Sequence, residues 1–206
     1  MKRLASLLAA VVLAPASAFS FAHFWDIQEI YTNATGTVQF IEFFENTGGG
    51  EIFLSSAAPI RFEINQVTVN SMAFTNATAT DGTADLSGST FNQTFLVATA
   101  NFQSLYGFAP DYIIPANFFA AGALNTIEFP TGPDEVSLAN LPTNGVMSLN
   151  GIPGNNLATA TSINAQASPR NFAGQTAIIP EPGTTGCMIV GAGALGVLTF
   201  IRRRRG

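Results

Sequence analysis

The middle of this chain contains few of the side chains on which enzymes and nucleic-acid-binding proteins rely. Of 206 residues, one is cysteine, Cys187 near the C-terminus, and one is histidine, His23. We expect His23 to be packed or solvated at the start of a strand, which leaves no histidine for Ser-His-Asp, Cys-His or histidine-zinc sites. Between residues 23 and 180 there is no lysine, and two arginines stand against twelve acidic residues, a formal net charge of −10. Recognition of phosphate backbones needs clustered lysine and arginine, so nucleic acid is excluded as a partner. An enzyme here would have to use carboxylates alone, and we expect none.

The N-terminal segment, residues 1–22, has the layout of a secretory signal peptide. A basic start, Lys2-Arg3, precedes an uninterrupted small and apolar run from Leu4 to Leu13. This run is too short to span a bilayer. Small residues then stand at the positions that a signal peptidase reads, so we expect cleavage after residue 18 or after residue 22. The residues in question are Ala16, Ala18 and Ala22.

The C-terminal segment, residues 180–206, contains three features in order. Pro180-Glu181-Pro182 comes first, then an apolar stretch, then four arginines before the final glycine: Arg202, Arg203, Arg204 and Arg205. As a helix, residues 184–201 would be about 27 Å long, close to the ~30 Å of a hydrocarbon core. Arginines beside a membrane span favour the cytoplasmic side. We therefore predict a transmembrane helix over residues 184–201 with a cytoplasmic C-terminus.

This tail, IPEPGTTGCMIVGAGALGVLTFIRRRRG, resembles the PEP-CTERM sorting signal of Gram-negative bacteria. The resemblance implies that a membrane-embedded cysteine peptidase, exosortase, recognises Pro180, Glu181 and Pro182, removes the tail, and releases or attaches the protein. It implies an inner-membrane intermediate and then the cell surface or extracellular space of a biofilm-forming, exopolysaccharide-producing bacterium. Cys187 has no part in this, because the nucleophile belongs to the processing enzyme. An ordinary single-pass anchor is the alternative.

Residues 23–150 have the pattern of an all-β domain. Short apolar runs are broken by Gly, Asn, Asp or Pro, and no long amphipathic helix is present, which indicates a β-sandwich rather than a parallel sheet. Single helical turns are predicted at residues 101–106 and 116–121. The predicted strands are residues 25–31, 37–44, 51–54, 61–69 with a bulge or face switch near 65–66, 91–100, 124–129 and 145–149. The first two of these strands should form a hairpin.

The start of this domain resembles the lamin-tail type of immunoglobulin-like sandwich. In that family a strand of the form Ile-x-Glu-Ile is followed by a strand with Phe-Ile-Glu-apolar and then Asn-x-Gly. The corresponding segments here are Ile27-Gln28-Glu29-Ile30, Phe40-Ile41-Glu42-Phe43 and, shifted, Asn46-Thr47-Gly48, and Thr94 to Thr99 looks like the strand that follows. The resemblance implies an immunoglobulin-like β-sandwich, and bacterial members are often exported accessory modules without activity of their own.

Residues 151–179 change character after Gly151-Ile152-Pro153-Gly154 to small polar residues with one aromatic, Phe172. Such a stretch forms either a flexible linker or an irregular last strand. We favour the linker, because a processing enzyme at the membrane needs reach to its substrate.

Four acidic residues are the candidate cation ligands. Glu29 falls on the apolar face with Ile27 and Tyr31 in strict alternation, and Glu42 falls on the face with Phe40. Buried carboxylates must be paired or hydrogen-bonded, so Ca²⁺ binding, an acid/base pair and a structural role all remain open. Asp81 and Asp85 flank a turn glycine but lack the alternate acids of an EF-hand, which favours a surface turn over a weak Ca²⁺ site. No cofactor is otherwise implied.

Aromatic residues leave two further interpretations open. Trp25 with Tyr31 forms either a small sugar-binding platform or part of the core, and the loop over residues 104–119 is rich in Phe and Tyr. Phenylalanine, present 18 times against one Trp, fills cores more than it lines sugar sites. We therefore predict a non-catalytic exported surface or matrix protein. A polysaccharide- or calcium-binding module is the alternative, and a carboxylate-dependent glycan-processing enzyme comes third.

Overall fold

A computed structural model of the protein describes residues 24–45, 47–129, 134–151 and 163–178. They form ten strands and one α-helix, with a short 3-10 turn at Leu54–Ser56. No helix in these ranges is long and apolar enough to cross a membrane, and the predicted spanning helix, residues 184–201, lies outside them. The strands are β1 (Trp25–Thr32), β2 (Gln39–Glu45), β3 (Ile60–Ile64), β4 (Val67–Met72), β5 (Gln93–Thr99), β6 (Tyr112–Ile114), β7 (Asn125–Phe129), β8 (Asp134–Ser137), β9 (Met147–Asn150) and β10 (Ile163–Gln166), and the helix is α1 (Asn101–Tyr106).

The strands form two sheets, so the prediction of a mostly β protein is confirmed. One sheet has six strands in the order β10-β9-β1-β2-β5-β6, and the other has four in the order β4-β3-β7-β8. All neighbouring strands are antiparallel except β5 and β6, which run parallel. A cluster of buried side chains from both sheets fills the space between them.

Aromatic rings dominate this core between the sheets. The ring of Phe95 stacks on that of Phe43 with centroids 4.5 Å apart and meets the edge of Trp25 at 4.7 Å. Phe74 contacts both Phe95 and Phe129 with its ring edge-on. Offset-stacked and edge-on pairs each add about 0.5–1.5 kcal/mol beyond the burial of apolar area. Many of the 18 phenylalanines therefore lie in the core.

The β1–β2 hairpin pairs antiparallel as predicted, with a bulge that the alternation does not reveal. The register shifts between Ile27 and Glu29, and beyond the shift Glu29 lies opposite Glu42. Ile27 belongs to the core between the sheets, whereas Tyr31 belongs to a cluster on the outer face of the six-stranded sheet. The expectation that both share one face with Glu29 is therefore wrong. A bulge adds one residue and reverses the faces that follow, which places Glu29 on the outer face.

The outer face of the six-stranded sheet is also covered. Phe40 and Leu96 are fully buried there, and α1 packs on them through Phe102, whose ring meets Phe40 edge-on at 5.9 Å. The helix has the predicted bounds, residues 101–106, and ends at Gly107 in the left-handed conformation (φ 82°). A glycine at that position terminates helices at little steric cost.

Residues 61–69 differ from the single bulged strand that alternation predicts. They form a tight hairpin in which β3 and β4 are joined by Asn65 and Gln66, both with positive φ (52° and 63°). Two consecutive left-handed residues are the signature of a two-residue hairpin turn of type I′, for which Asn-Gly is the preferred sequence. Asn65 fits this pattern and Gln66 does not.

The substitution Gln66→Gly should stabilise the protein by about 0.5–1 kcal/mol. A non-glycine residue in the left-handed region costs roughly 1–2 kcal/mol, and glycine removes this cost. The greater freedom of glycine in the unfolded chain offsets part of that gain. Urea unfolding followed by the fluorescence of Trp25 measures the change. Gln103→Gly in α1 is the control and should destabilise by about 1 kcal/mol; a loss in both variants would contradict the turn assignment.

Two other local predictions are wrong for identifiable reasons. Residues 51–54 form no strand, because the Glu51 carbonyl accepts the indole N–H of Trp25 and a 3-10 turn begins at Leu54. Residues 116–121 form no helical turn, because Asn117 has φ 58° and the backbone groups of the next two residues bond to Gln39. Strands β6 and β8 were not predicted from the sequence.

The chain from residue 163 onward belongs to the sandwich rather than to a linker. Strand β10 pairs with β9 at the edge of the six-stranded sheet. Residues 167–178, called the strap below, then cross the outer face, and Ala167 is fully buried. Of the two alternatives for this part, a linker or an irregular last strand, the strand is the one observed, and the linker that we favoured is wrong here because the backbone N–H groups of the strap find acceptors on the sheet. Residues 152–162 and 179 lie outside the described ranges.

Candidate functional site

The residues predicted for processing lie outside the described part of the chain. This holds for the signal-peptidase region (Ala16, Ala18, Ala22) and for the sorting signal (Pro180, Glu181, Pro182, Arg202, Arg203, Arg204, Arg205). Their roles stay predictions. The described residue nearest to the sorting signal is Ile178, which is 68% exposed at the end of the strap.

The strap crosses the six-stranded sheet and is held by three carboxylates. Ser168 N–H donates to Glu29 Oε1 at 3.0 Å, and Phe172 N–H donates to Asp111 Oδ2 at 2.9 Å. Between them, Arg170 N–H donates to Glu42 Oε2 at 2.5 Å. The donors are alternate residues, and the acceptors stand on β1, on β2 and just before β6, in the order in which the strap passes over them.

After Asn171 the strap turns back on itself. A tight turn with Gly174 at φ 76° brings Thr176 opposite Arg170 in an isolated antiparallel bridge. Ala177 N–H donates to the carbonyl of Pro169, and the Ala177 side chain packs on the outer cluster. The strap is therefore an ordered hairpin-like cover rather than a trailing end.

Glu29 and Glu42, two of the predicted cation ligands, are brought together by the β1–β2 register. Both are buried, with 2% and 6% of their surface exposed. Glu29 Oε1 also accepts the hydroxyl of Ser148 at 2.6 Å. Burial raises the pKa of Glu29, and burial together with the neighbouring charge of Glu29 raises the pKa of Glu42 well above its usual value. Of the interpretations left open by the sequence, the contacts favour the structural one.

Asp81 and Asp85, the other two predicted ligands, line one pocket with Asp111, called the acidic pocket below. The cavity has a volume of about 340 Å³, and Asn171 and Phe172 of the strap form part of its wall. Burial, with a smaller contribution from the charge of Asp81, raises the pKa of Asp111 to about 6. The position of Asp111 was not predicted, because its link to Phe172 spans 61 residues.

The carboxylates of this pocket also have structural partners. Asp81 Oδ1 accepts the N–H of Thr83 at 2.8 Å, which closes a local turn, and Asp85 Oδ1 accepts the N–H of Ser55 at 2.8 Å. The described residues contain no group of three or more His, Cys, Asp or Glu side chains arranged to hold a metal ion. Ca²⁺ binding by Asp81 and Asp85 stays a prediction.

The aromatic residues considered as a sugar platform are in the core. Trp25 is fully buried and its indole N–H is used internally, while Tyr31 is 1% exposed and its hydroxyl donates to the carbonyl of Gly145. In the aromatic loop, Phe118 and Phe119 are buried as well. Among the residues of that loop, Tyr112 faces the acidic pocket, where its hydroxyl bonds to the carbonyl of Ala84 at 2.7 Å.

Asp134 is a further buried carboxylate that sequence reasoning missed. It begins β8, and its Oδ2 accepts the N–H of Ile27 at 2.8 Å. Its Oδ1 is buried without a hydrogen-bond partner. Burial, with a smaller contribution from the charge of Asp26, raises the pKa of Asp134 to about 7.

We expect Asp134 to make the protein less stable as the pH rises. Because its folded pKa of about 7 exceeds the usual unfolded value of about 3.9, its contribution is fully present below about pH 4 and is lost as the pH rises through 7. After allowance for solvent screening this amounts to about 1–2 kcal/mol. Urea unfolding at pH 4.5 and pH 8 measures it, and Asp134→Asn should remove that share of the difference. Glu135→Gln, an exposed neighbour, should keep the wild-type difference; an unchanged difference in Asp134→Asn would assign the effect elsewhere.

Comparison with known proteins adds no relative to these observations. No protein-family model matches the chain, and no curated protein or solved structure matches it.

Proposed function

We propose that the protein is a non-catalytic exported surface or matrix protein that an exosortase sorts through residues 180–206. The central domain is an immunoglobulin-like sandwich of the lamin-tail type that works outside a Gram-negative cell. Signal peptidase cuts after Ala18 or Ala22, and the inner membrane holds the protein transiently through the helix at 184–201.

The observation that carries this proposal is the tripartite tail, with Pro180-Glu181-Pro182 before an apolar stretch and four arginines. The described residue nearest to Pro180 in the chain is Ile178, which is exposed. The carboxylates on the outer face are occupied by backbone N–H groups, which fits a domain without a catalytic pair.

Intact-mass analysis of the protein from the envelope and medium of its native host tests the proposal. We expect a product that begins at Phe19 or His23 and ends near residues 180–182. Replacing Pro180, Glu181 and Pro182 together by alanine should leave the tail in place. The control is Cys187→Ala, which should be processed as wild type because that thiol has no role. A wild-type mass that still includes residues 186–206 would show a permanent anchor and overturn exosortase sorting.

A second candidate function is favoured by the pocket between Asp81, Asp85 and Phe172. Carboxylates beside an aromatic ring can bind the hydroxyls and the apolar face of a sugar, and a cavity of about 340 Å³ falls in the size range of small-ligand sites. We therefore propose binding of a saccharide unit of an exopolysaccharide as the alternative role.

Affinity electrophoresis in gels containing the host exopolysaccharide tests this alternative. Binding should retard the wild type and should weaken at least tenfold in the double variant Asp81→Asn, Asp85→Asn, whose amide oxygens can still accept the local N–H groups. Glu135→Gln removes one exposed charge outside the pocket, and its retardation relative to a gel without polysaccharide should equal that of the wild type. Retardation that is equal in all three proteins, or absent in the wild type, would rule out a saccharide site in this pocket.

A further inference from the structure

The attachment of the strap to the sheet is unusual in its chemistry. Neighbouring strands normally bond through backbone carbonyls, which carry no titratable charge. The strap instead places three of its backbone N–H groups, those of Ser168, Arg170 and Phe172, on carboxylate oxygens. The strength of its attachment therefore depends on the protonation of those carboxyls.

Two of the three carboxyls face each other directly. Glu29 and Glu42 are cross-strand partners on one face, where side chains lie roughly 5 Å apart, and both are buried beneath the strap. Like charges placed opposite each other destabilise a sheet, and the effect grows when water is excluded. Two ionised carboxylates are therefore costly here, whereas a pair that retains a proton is not.

The other charged groups that face this pair are few. From the strap, Arg170 acts on Glu42 through its N–H and, more weakly, through its positive charge, although its side chain is exposed. From β9 the contact is the neutral hydroxyl of Ser148, and on β5 the residue opposite Glu42 is Leu96. Asp111 stands at the far end of the strap. One exposed arginine does not neutralise two buried carboxylates.

We propose that the strap is a pH-dependent latch, docked while the Glu29–Glu42 pair retains a proton and released when both carboxyls are ionised. Two opposing effects decide the sign. Ionisation strengthens each bond from the strap N–H groups to the carboxylates, but burial disfavours two charged carboxylates facing each other. Burial is the largest effect on both groups and raises both pKa values despite these bonds, so the docked strap favours the pair that retains a proton. Docking is full at acidic pH and weakens as the pH rises through the pKa of Glu42, which lies well above its usual value of about 4.3.

Release has two consequences for the molecule. The freed strap, residues 167–178, can extend to about 40 Å at ~3.3 Å per residue, which lengthens the tether before residue 179. Release also removes Asn171 and Phe172 from the wall of the acidic pocket. Any ligand that needs this wall favours the docked strap and is itself bound more tightly at acidic pH, because such coupling is reciprocal. The effect of tether length on sorting rests on the proposed function; the latch does not.

Trypsin provides a direct measurement, because only Arg61 and Arg170 are basic between residues 23 and 180. Arg61 lies within β3 between two hydrogen-bonded strands, so cleavage after Arg170 reports release of the strap. Mass spectrometry of the full chain identifies this cut and separates it from cuts at the terminal basic residues. A synthetic peptide of residues 165–178 corrects for the pH dependence of the protease.

Relative to the peptide, cleavage after Arg170 should rise at least tenfold between pH 6 and pH 8.5. In Glu42→Gln, which cannot ionise at this position, the rise should fall below twofold. The exposed control Glu135→Gln should behave as wild type. A wild-type rate that stays constant with pH, or a Glu42→Gln variant that follows the wild type, would overturn the latch.

Folding of the variant is checked by the emission of Trp25, which is buried between the sheets. Should Glu42→Gln fail to fold, Glu29→Gln takes its place, because loss of either charge removes the repulsion. Hydrogen exchange of the wild type provides a measurement without substitution. After correction for intrinsic rates, the amides of Ser168 and Arg170 should lose protection between pH 6 and pH 8.5, while amides of β5 keep theirs; constant protection of the strap would contradict the proposal.

Discussion

Replacing Phe95 by alanine should lower the free energy of unfolding by about 3–5 kcal/mol, the range for loss of a buried aromatic ring. Phe95 is fully buried in the middle of β5. Its ring stacks on Phe43 and meets the edges of Trp25, Phe74 and Tyr112. Removal therefore leaves a cavity in contact with both sheets. A loss of this size is a large part of the roughly 5–15 kcal/mol that stabilises a typical domain.

Urea unfolding followed by the fluorescence of Trp25 measures this loss, because Trp25 is the only tryptophan and touches the altered site. The matched control is Phe91→Ala. Phe91 lies just before β5 and is 49% exposed, so the same chemical change should cost less than about 1 kcal/mol. Equal losses in the two variants would show that Phe95 does not occupy the core between the sheets.

The sequence predicted the elements that local patterns determine. The β1–β2 hairpin followed from alternation and from the turn residues between Asn33 and Gly36, and α1 was predicted with the correct bounds from Asn101 to Tyr106. These features depend on neighbours within a few residues, where propensity and turn chemistry act. The bulge between Ile27 and Glu29 has no such local signal, since no glycine or proline marks it, and it alone determines the face on which Glu29 lies.

The strap could not be predicted, because its bonds to the sheet come from its backbone. The side chains of Ser168, Pro169 and Arg170 are typical of a loop or linker. The strap is held in its ordered conformation by Glu29 and Glu42, which lie near the start of the domain and far away in the sequence. The acidic pocket could not be predicted for the same reason. Asp81 and Asp85 were recognised as a pair, but their proximity to Asp111 depends on tertiary structure.

Many of the acidic residues in this fold accept hydrogen bonds from the protein backbone rather than forming ion pairs. Arg61 and Glu128 form the ion pair observed within the described residues, at 3.2 Å. Most carboxylates instead accept hydrogen bonds from backbone N–H groups, and such bonds are strengthened by the charge of the acceptor. Seven of the twelve acids between residues 23 and 180 accept such a bond: Glu29, Glu42, Glu45, Asp81, Asp85, Asp111 and Asp134. Carboxylates used in this way stabilise the fold.

The Gln39 side chain links β2 to the segment that crosses between the two sheets. Gln39→Ala should lower the free energy of unfolding by about 3 kcal/mol. Alanine leaves two backbone groups buried without a partner, at about 1–3 kcal/mol each. The Gln39 side chain is fully buried at the start of β2. Its amide nitrogen donates to the carbonyl of Phe119 at 2.6 Å, and its amide oxygen accepts the N–H of Phe118 at 2.7 Å. These two residues lie in the segment that leads from β6 in one sheet to β7 in the other. Urea unfolding followed by Trp25 fluorescence measures the loss.

Two further variants separate the lost hydrogen bonds from the lost volume. Gln39→Leu fills most of the space but makes no hydrogen bond, so it should lose about 2 kcal/mol or more if the orphaned backbone groups dominate. Gln103→Ala, on the exposed side of α1, should change stability by less than about 0.5 kcal/mol. Full stability in Gln39→Leu would show that packing at β2 suffices to fix the crossing between the sheets. The expected loss would show that this crossing depends on one buried amide, through its bonds to the backbone of Phe118 and Phe119.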